Sequence, residues 1–137
     1  MSPGPNGTHT FEAMAFRLDG TTPAPAKANV SPFRLPKPWR PRQSPELVAG
    51  GARVYDDNGC LLCHGVGAIQ AGREIPDLRA SSENTYAAMR DIFNGAFRQA
   101  GMPAFKNITD QQIIALQAYL TEQAWTGYEI QEKKVSK

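Results

Sequence analysis

Cys60-Leu61-Leu62-Cys63-His64 places two thiols and an imidazole within five residues. Thiols three positions apart can add across the two vinyl groups of one haem, and the next residue then offers its imidazole to the iron. Other chemistries use the same residue types. A thioredoxin-like dithiol opens a helix after a strand in a βαβ unit, but these cysteines follow a helical stretch. A structural zinc centre needs four ligands, and beyond this motif the chain's one other Cys or His is the remote His9. A local disulfide stays open as a reading, although one between neighbours staples no fold together. Covalent attachment of one haem c through Cys60 and Cys63, with His64 as an axial ligand, is the chemistry this spacing favours.

A second axial ligand decides what such a group does. Methionine raises the potential and closes the iron to small ligands. The candidates are Met14, Met89 and Met102. Met14 lies far outside the motif's surroundings. Met89 falls on an apolar helical stripe, where core packing is the ordinary role. Met102 stands in Ala100-Gly101-Met102-Pro103-Ala104-Phe105, where Gly101 lets the backbone approach closely and Pro103 stiffens the loop. Met102 is therefore the expected partner of His64.

Three helices must position these groups. Ser44-Pro45 reads as an N-cap and first helical residue, and the helix should run to about Asn58, where Gly59 stops it. Its apolar positions are Leu47, Val48, Val54 and Tyr55. A second helix is expected from Ser82 to Asn94-Gly95, with Tyr86, Met89, Ile92 and Phe93 on one stripe. A third starts at the capping box Thr109-Asp110-Gln111-Gln112 and reaches roughly Trp125. Ile113, Leu116, Tyr119 and Leu120 supply its inner face.

The rest of the chain bounds the reading. A length of 137 residues suits one small domain with extensions. The net charge of +2, without a Lys/Arg block, excludes a nucleic-acid binder. No run approaches the roughly 20 apolar residues a membrane span needs. Residues 1–20 contain a strand pattern, Thr10 to Leu18, that cannot be stable alone. Residues 21–43 form a Pro-rich linker; seven prolines lie between Thr21 and Pro45. They forbid helix and predict an extended segment anchored at a few points at most. Residues 44–137 are the expected folded domain. Met1 to Gly7 lacks the charged start and apolar run of a signal peptide. Haem attachment of this type takes place outside the cytoplasm, so a piece of a longer exported chain, or a mature form, is expected, with a periplasmic location.

From Ser44 to Tyr128 the chain resembles a class I cytochrome c. Gly51 and Tyr55, with Leu116 and Tyr119, are similar to that family's crossing of terminal helices, and His64 to Met102 spans only 38 residues. The resemblance implies an all-α, compact class I cytochrome c fold, with three main helices around one covalent haem. A fuller resemblance covers nearly the whole chain. Gly51-Ala52-Arg53-Val54-Tyr55, the haem motif, Ile75-Pro76-Asp77-Leu78-Arg79-Ala80-Ser81, Gly101-Met102-Pro103-Ala104-Phe105 and Ile114-Ala115-Leu116-Gln117-Ala118-Tyr119-Leu120 resemble the C-terminal haem domain of quinohaemoprotein alcohol dehydrogenases. Those enzymes join a β-propeller carrying pyrroloquinoline quinone (PQQ) to the haem domain by a long linker. Ala13 to Gly20 resembles the last propeller strand. The resemblance implies that PQQ belongs only to the absent parent domain, so this chain alone oxidises no alcohol. It further implies that the Pro76 carbonyl accepts from His64, that Arg79 pairs with a haem propionate, and that Leu78, Phe105 and Ile108 wall the haem.

The expected partners are the PQQ propeller domain and an external acceptor: a small copper protein, a cytochrome or a quinone-linked oxidase. A free-standing periplasmic monohaem shuttle is the alternative; the orphan strand counts against it. A gas-binding haem sensor is a third reading, and a ligand at Met102 counts against that.

Overall fold

The computed structural model describes residues 33–69 and 75–137. The expected strand Thr10 to Leu18, His9, Met14 and the linker before Phe33 lie outside the described residues. Among the described residues the structure is helix and turn, with no strand.

Helix α1 spans Pro45–Asp57. Ser44 caps it by accepting from the Leu47 N–H at 3.3 Å, and Pro45 occupies a first-turn position where no donor is missed. Asn58 ends it, and Gly59 (φ +67°) turns the chain into the short helix α2, Cys60–His64. The long closing helix α5, Asp110–Val135, begins at the expected capping box. The Thr109 side chain accepts from the Gln112 N–H, and the Gln112 side chain accepts from the Thr109 N–H.

Helices α1 and α5 cross, and the core lies between them. Tyr55, Leu116, Tyr119 and Leu120 are buried there, with the Tyr55 and Tyr119 rings 5.2 Å apart. Gly51 makes the crossing possible. A Cβ at that position would stand 1.9 Å from the Ala115 carbonyl oxygen and 2.7 Å from the Tyr119 Cβ.

The second expected helix is broken into α3 (Glu83–Ala87), α4 (Met89–Asp91) and a wide turn over Ile92–Ala96. Distant groups take its carbonyls. Gln117 of α5 donates to the Tyr86 carbonyl at 3.0 Å, and the Phe105 N–H donates to the Phe93 carbonyl at 2.7 Å. The stripe itself survives, because Tyr86, Met89 and Phe93 are all buried. Met89 is thus a core residue.

Helix α5 runs ten residues past the expected end at Trp125, because the linker supplies it with partners. Residues 33–43 lie along α5 as a strap. Leu35 is buried, its N–H donates to Gln131 Oε1 at 2.7 Å, and its carbonyl accepts from Gln131 Nε2 at 3.0 Å. The Trp125 indole donates to the Arg40 carbonyl at 2.8 Å, and Arg40 donates to Gln117 Oε1 at 3.1 Å. Arg42 pairs with Glu122 and Glu129, and Arg34 with Glu132. These anchors exceed the few that proline spacing alone predicts. Pro36, Pro38 and Pro41 pre-set the extended backbone and lower the entropy lost in docking it.

Burial raises the phenols of Tyr55, Tyr86 and Tyr119 above their ordinary pKa. Each keeps its proton in the fold after the unfolded chain loses it near pH 10. The associated stability is intact below about pH 10 and falls as pH rises past it, by up to about 1.4 kcal/mol per pH unit per phenol. Urea unfolding at pH 9 and pH 11 checks this, and Tyr55→Phe should make the loss shallower.

Candidate haem-attachment site

The motif hangs on α1 through one hydrogen bond. Tyr55, 1% exposed, donates its hydroxyl to the Gly65 carbonyl at 2.6 Å, immediately after His64. Within α2 the two cysteines sit on a single turn, and neither is in a disulfide. Cys60 is half-buried against the core and Cys63 is exposed. Burial, above all, pushes the Cys60 thiol upward, so it remains a protonated thiol near neutral pH.

His64 Nδ1 lies 3.4 Å from the Pro76 carbonyl oxygen. In the tautomer that donates from Nδ1, this bond leaves the Nε2 lone pair free for a metal. Burial lowers the His64 pKa, with the Pro76 contact opposing, and so favours the neutral ring. This arrangement is the one the resemblance implied for Pro76.

Met102 is half-buried and packs against the core cluster. Its N–H donates to the Phe97 carbonyl at 3.1 Å, and Gly101 before it has φ +95°. Phe105 is fastened to Phe93 through its backbone N–H, with the two rings edge-to-face at 6.2 Å. Leu78 and Phe105 are partly buried on the same cluster, of which Ile108 is a fully buried member.

Arg79 is almost covered, and its guanidinium forks onto Asp77: Nη2 to Oδ2 at 2.6 Å and Nε to Oδ1 at 2.9 Å. Asp77 Oδ1 also accepts from the Arg79 backbone N–H at 3.0 Å, capping the 3₁₀ turn Leu78–Ala80. A propionate contact at Arg79 would therefore be made beside this pair. Sequence reasoning assigned Asp77 no role. Its signal is an acid two residues before an arginine, at the start of a turn, where a short carboxylate folds back on the backbone.

The donor set suits a haem c: two free thiols on one turn, a neutral imidazole oriented by a carbonyl, and a thioether on a fastened loop, with apolar side chains around them. Among the described residues no group of three or more His, Cys, Asp or Glu is placed to hold a metal ion by itself. No described helix is long and apolar enough to cross a membrane.

Comparison with known proteins agrees with this chemistry. Residues 46–120 match the family model described as cytochrome c oxidase, cbb3-type, subunit III. The chain is 36% identical over 120 residues to lupanine 17-hydroxylase [cytochrome c] of a Pseudomonas species, covering 87% of this chain and 17% of that protein. It is 35% identical over 79 residues to 1-butanol dehydrogenase (cytochrome c) of Thauera butanivorans, covering 56% of this chain and 11% of that protein. The solved quinohemoprotein alcohol dehydrogenase ADHIIG of Pseudomonas putida HK5 superposes with a TM-score of 0.55 at 29% identity, over 74% of this chain and 15% of that one. The chain thus spans less than a fifth of the length of each of these relatives. It belongs to the family that the matched model describes, as a cytochrome c domain of the kind found in quinohaemoprotein alcohol dehydrogenases.

Proposed function

We propose that this domain relays single electrons from reduced PQQ, in a dehydrogenase domain of the same enzyme, to an external acceptor outside the cytoplasm. The observation that carries the reading is the His64–Pro76 contact beside two free thiols on one helical turn. A bound haem supplies reversible one-electron chemistry at iron. Cys60 and Cys63 would hold it covalently, and His64 would offer Nε2 to the iron while the Pro76 carbonyl accepts from Nδ1–H. Met102 would supply the second protein ligand and exclude small ligands. Leu78, Phe105 and Ile108 would keep water from the group, and Arg79 would pair with a propionate. In the domain division we favour, residues 44–137 form the haem domain, 21–43 the linker and 1–20 a remnant of a propeller strand or a tail. Relatives several times longer than this chain support the relay over a free shuttle.

Two measurements test the reading. After acid-acetone extraction of protein made in a strain with haem-attachment machinery, haem should stay on the polypeptide. Cys60→Ala with Cys63→Ala should release it. The ferric protein should show a far-red thioether–iron charge-transfer band that disappears in Met102→Ala. A band that persists there would move the ligand assignment to another methionine.

A further inference from the structure

The Pro76 carbonyl belongs to a short stretch of chain fastened at several points. Next to it, Asp77 is 2% exposed and holds the Arg79 guanidinium and backbone N–H together. The turn continues through Ala80 N–H to Asp77 carbonyl at 3.1 Å and Ser81 N–H to Leu78 carbonyl at 3.2 Å. Outside contacts close on this turn from the strap and from α5. The Trp39 indole of the strap donates to the Ser81 carbonyl at 3.0 Å. At Gly127 of α5, an added Cβ would meet Leu35 Cδ1 at 2.6 Å and Arg79 Nη1 at 3.0 Å. The strap leucine and the Arg79 head thus share one seat on α5. A cleft of about 270 Å³ between strap and turn is lined by Pro36, Trp39, Arg79, Ser81 and Tyr86.

We propose that the Asp77–Arg79 pair, clamped between α5 and the strap, is the device that holds the Pro76 carbonyl on His64, so that linker residues Leu35 and Trp39 tune the axial ligand. In this role they are positioning residues, since they act through the turn that carries the Pro76 carbonyl. The inference rests on His64 being an axial ligand, as proposed above. A carbonyl held on Nδ1–H makes the imidazole a stronger donor and favours ferric iron. Loosening the clamp weakens that bond and raises the midpoint potential.

The test uses the full haem-loaded chain. Asp77→Asn removes a charge and so raises the potential on its own. The neutral double variant Leu35→Ala/Trp39→Phe decides the matter. Arg42→Gln serves as the control, because it cuts the strap's ion pairs to Glu122 and Glu129 without touching the turn. In spectroelectrochemical titration the double variant should show at least a threefold shift toward reduced haem at fixed solution potential. At 59 mV per tenfold for one electron this is about 28 mV. In the reduced protein, the His64 Nδ1 proton should exchange with solvent at least tenfold faster than in wild type. Arg42→Gln should lower thermal stability, leave the exchange rate in place and give no rise in potential, since the lost positive charge acts in the opposite direction. A double variant that loses stability but keeps its potential and exchange rate overturns the proposal and leaves the relay reading intact. Wild-type protein without covalent haem overturns both.

Discussion

Gly51→Ala should strongly destabilise the domain, while Gly50→Ala, one position earlier, should stabilise it. The two glycines lie in the same helix, so intrinsic propensity favours alanine at both by about 0.5–1 kcal/mol. Their surroundings differ. A Cβ at Gly50 would meet Ala115 Cβ at 3.7 Å, an ordinary contact. A Cβ at Gly51 would fall within 1.9 Å of the Ala115 carbonyl oxygen and 2.6 Å of its carbon, both backbone atoms of α5. No rotamer change relieves that overlap, so α1 and α5 must separate. The separation strips packing from Tyr55, Leu116 and Tyr119 together. Overpacking a core with room to adjust costs about 1–3 kcal/mol. Against backbone the loss should be above about 3 kcal/mol, a large share of a small domain's stability. Urea unfolding followed by helical circular dichroism checks both variants. A Gly51→Ala protein as stable as wild type would mean that the crossing is not as close as described.

The second large effect concerns the strap. A chain that starts at Gln43 should melt roughly 8–20 °C below the full chain, corresponding to about 2–4 kcal/mol for a domain of this size. On composition alone, ordering a Pro-rich segment costs more than three apolar side chains return, and equal midpoints would follow. The structure changes the arithmetic in two ways. Docking uses both the carbonyl and the N–H of Leu35, the Arg40 carbonyl and the Arg42 guanidinium, beside the burial of Leu35. Prolines at three strap positions also leave the unfolded chain less freedom to lose. Leu35→Ala alone should reproduce half or more of the effect, about 2 kcal/mol, the low end for a buried leucine. Calorimetry on the three proteins settles it: midpoints equal within about 3 °C would show that the strap contacts contribute no net stability.

What could be read in the sequence was local. Ser44-Pro45, Asn58-Gly59 and Thr109 to Gln112 set helix ends through neighbours in the chain, and α1 and the start of α5 lie where those signals put them. The attachment motif was legible for the same reason. The interruption of the second helix was not, since the groups that take the Tyr86 and Phe93 carbonyls come from 31 and 12 residues away. The length of α5 was equally hidden. Its last ten residues carry a weak apolar pattern and depend on Leu35, Arg34 and Arg42 for partners. The Pro76–His64 contact came from family resemblance rather than from the residues, because a backbone carbonyl carries no side-chain signature. Asp77 escaped notice because a buried ion pair looks, on paper, like two solvated charges.

The strap also decides where the chain leaves the domain. The Arg40 carbonyl is fastened to Trp125 and the Leu35 backbone to Gln131, so between them the linker travels six helical residues along α5, about 9 Å at 1.5 Å per residue. The exit is thus near the far end of that helix, instead of beside Ser44. For anything joined upstream, those eleven strap residues add no slack. In the relay proposed above, an upstream dehydrogenase domain would be joined through a shorter leash with a displaced anchor, and the volume open to it would shrink accordingly. A smaller volume means a higher effective concentration of one redox centre around the other, provided the shortened leash still spans the gap. Loosening the strap would lengthen the leash and dilute the pair without altering a single residue at either centre.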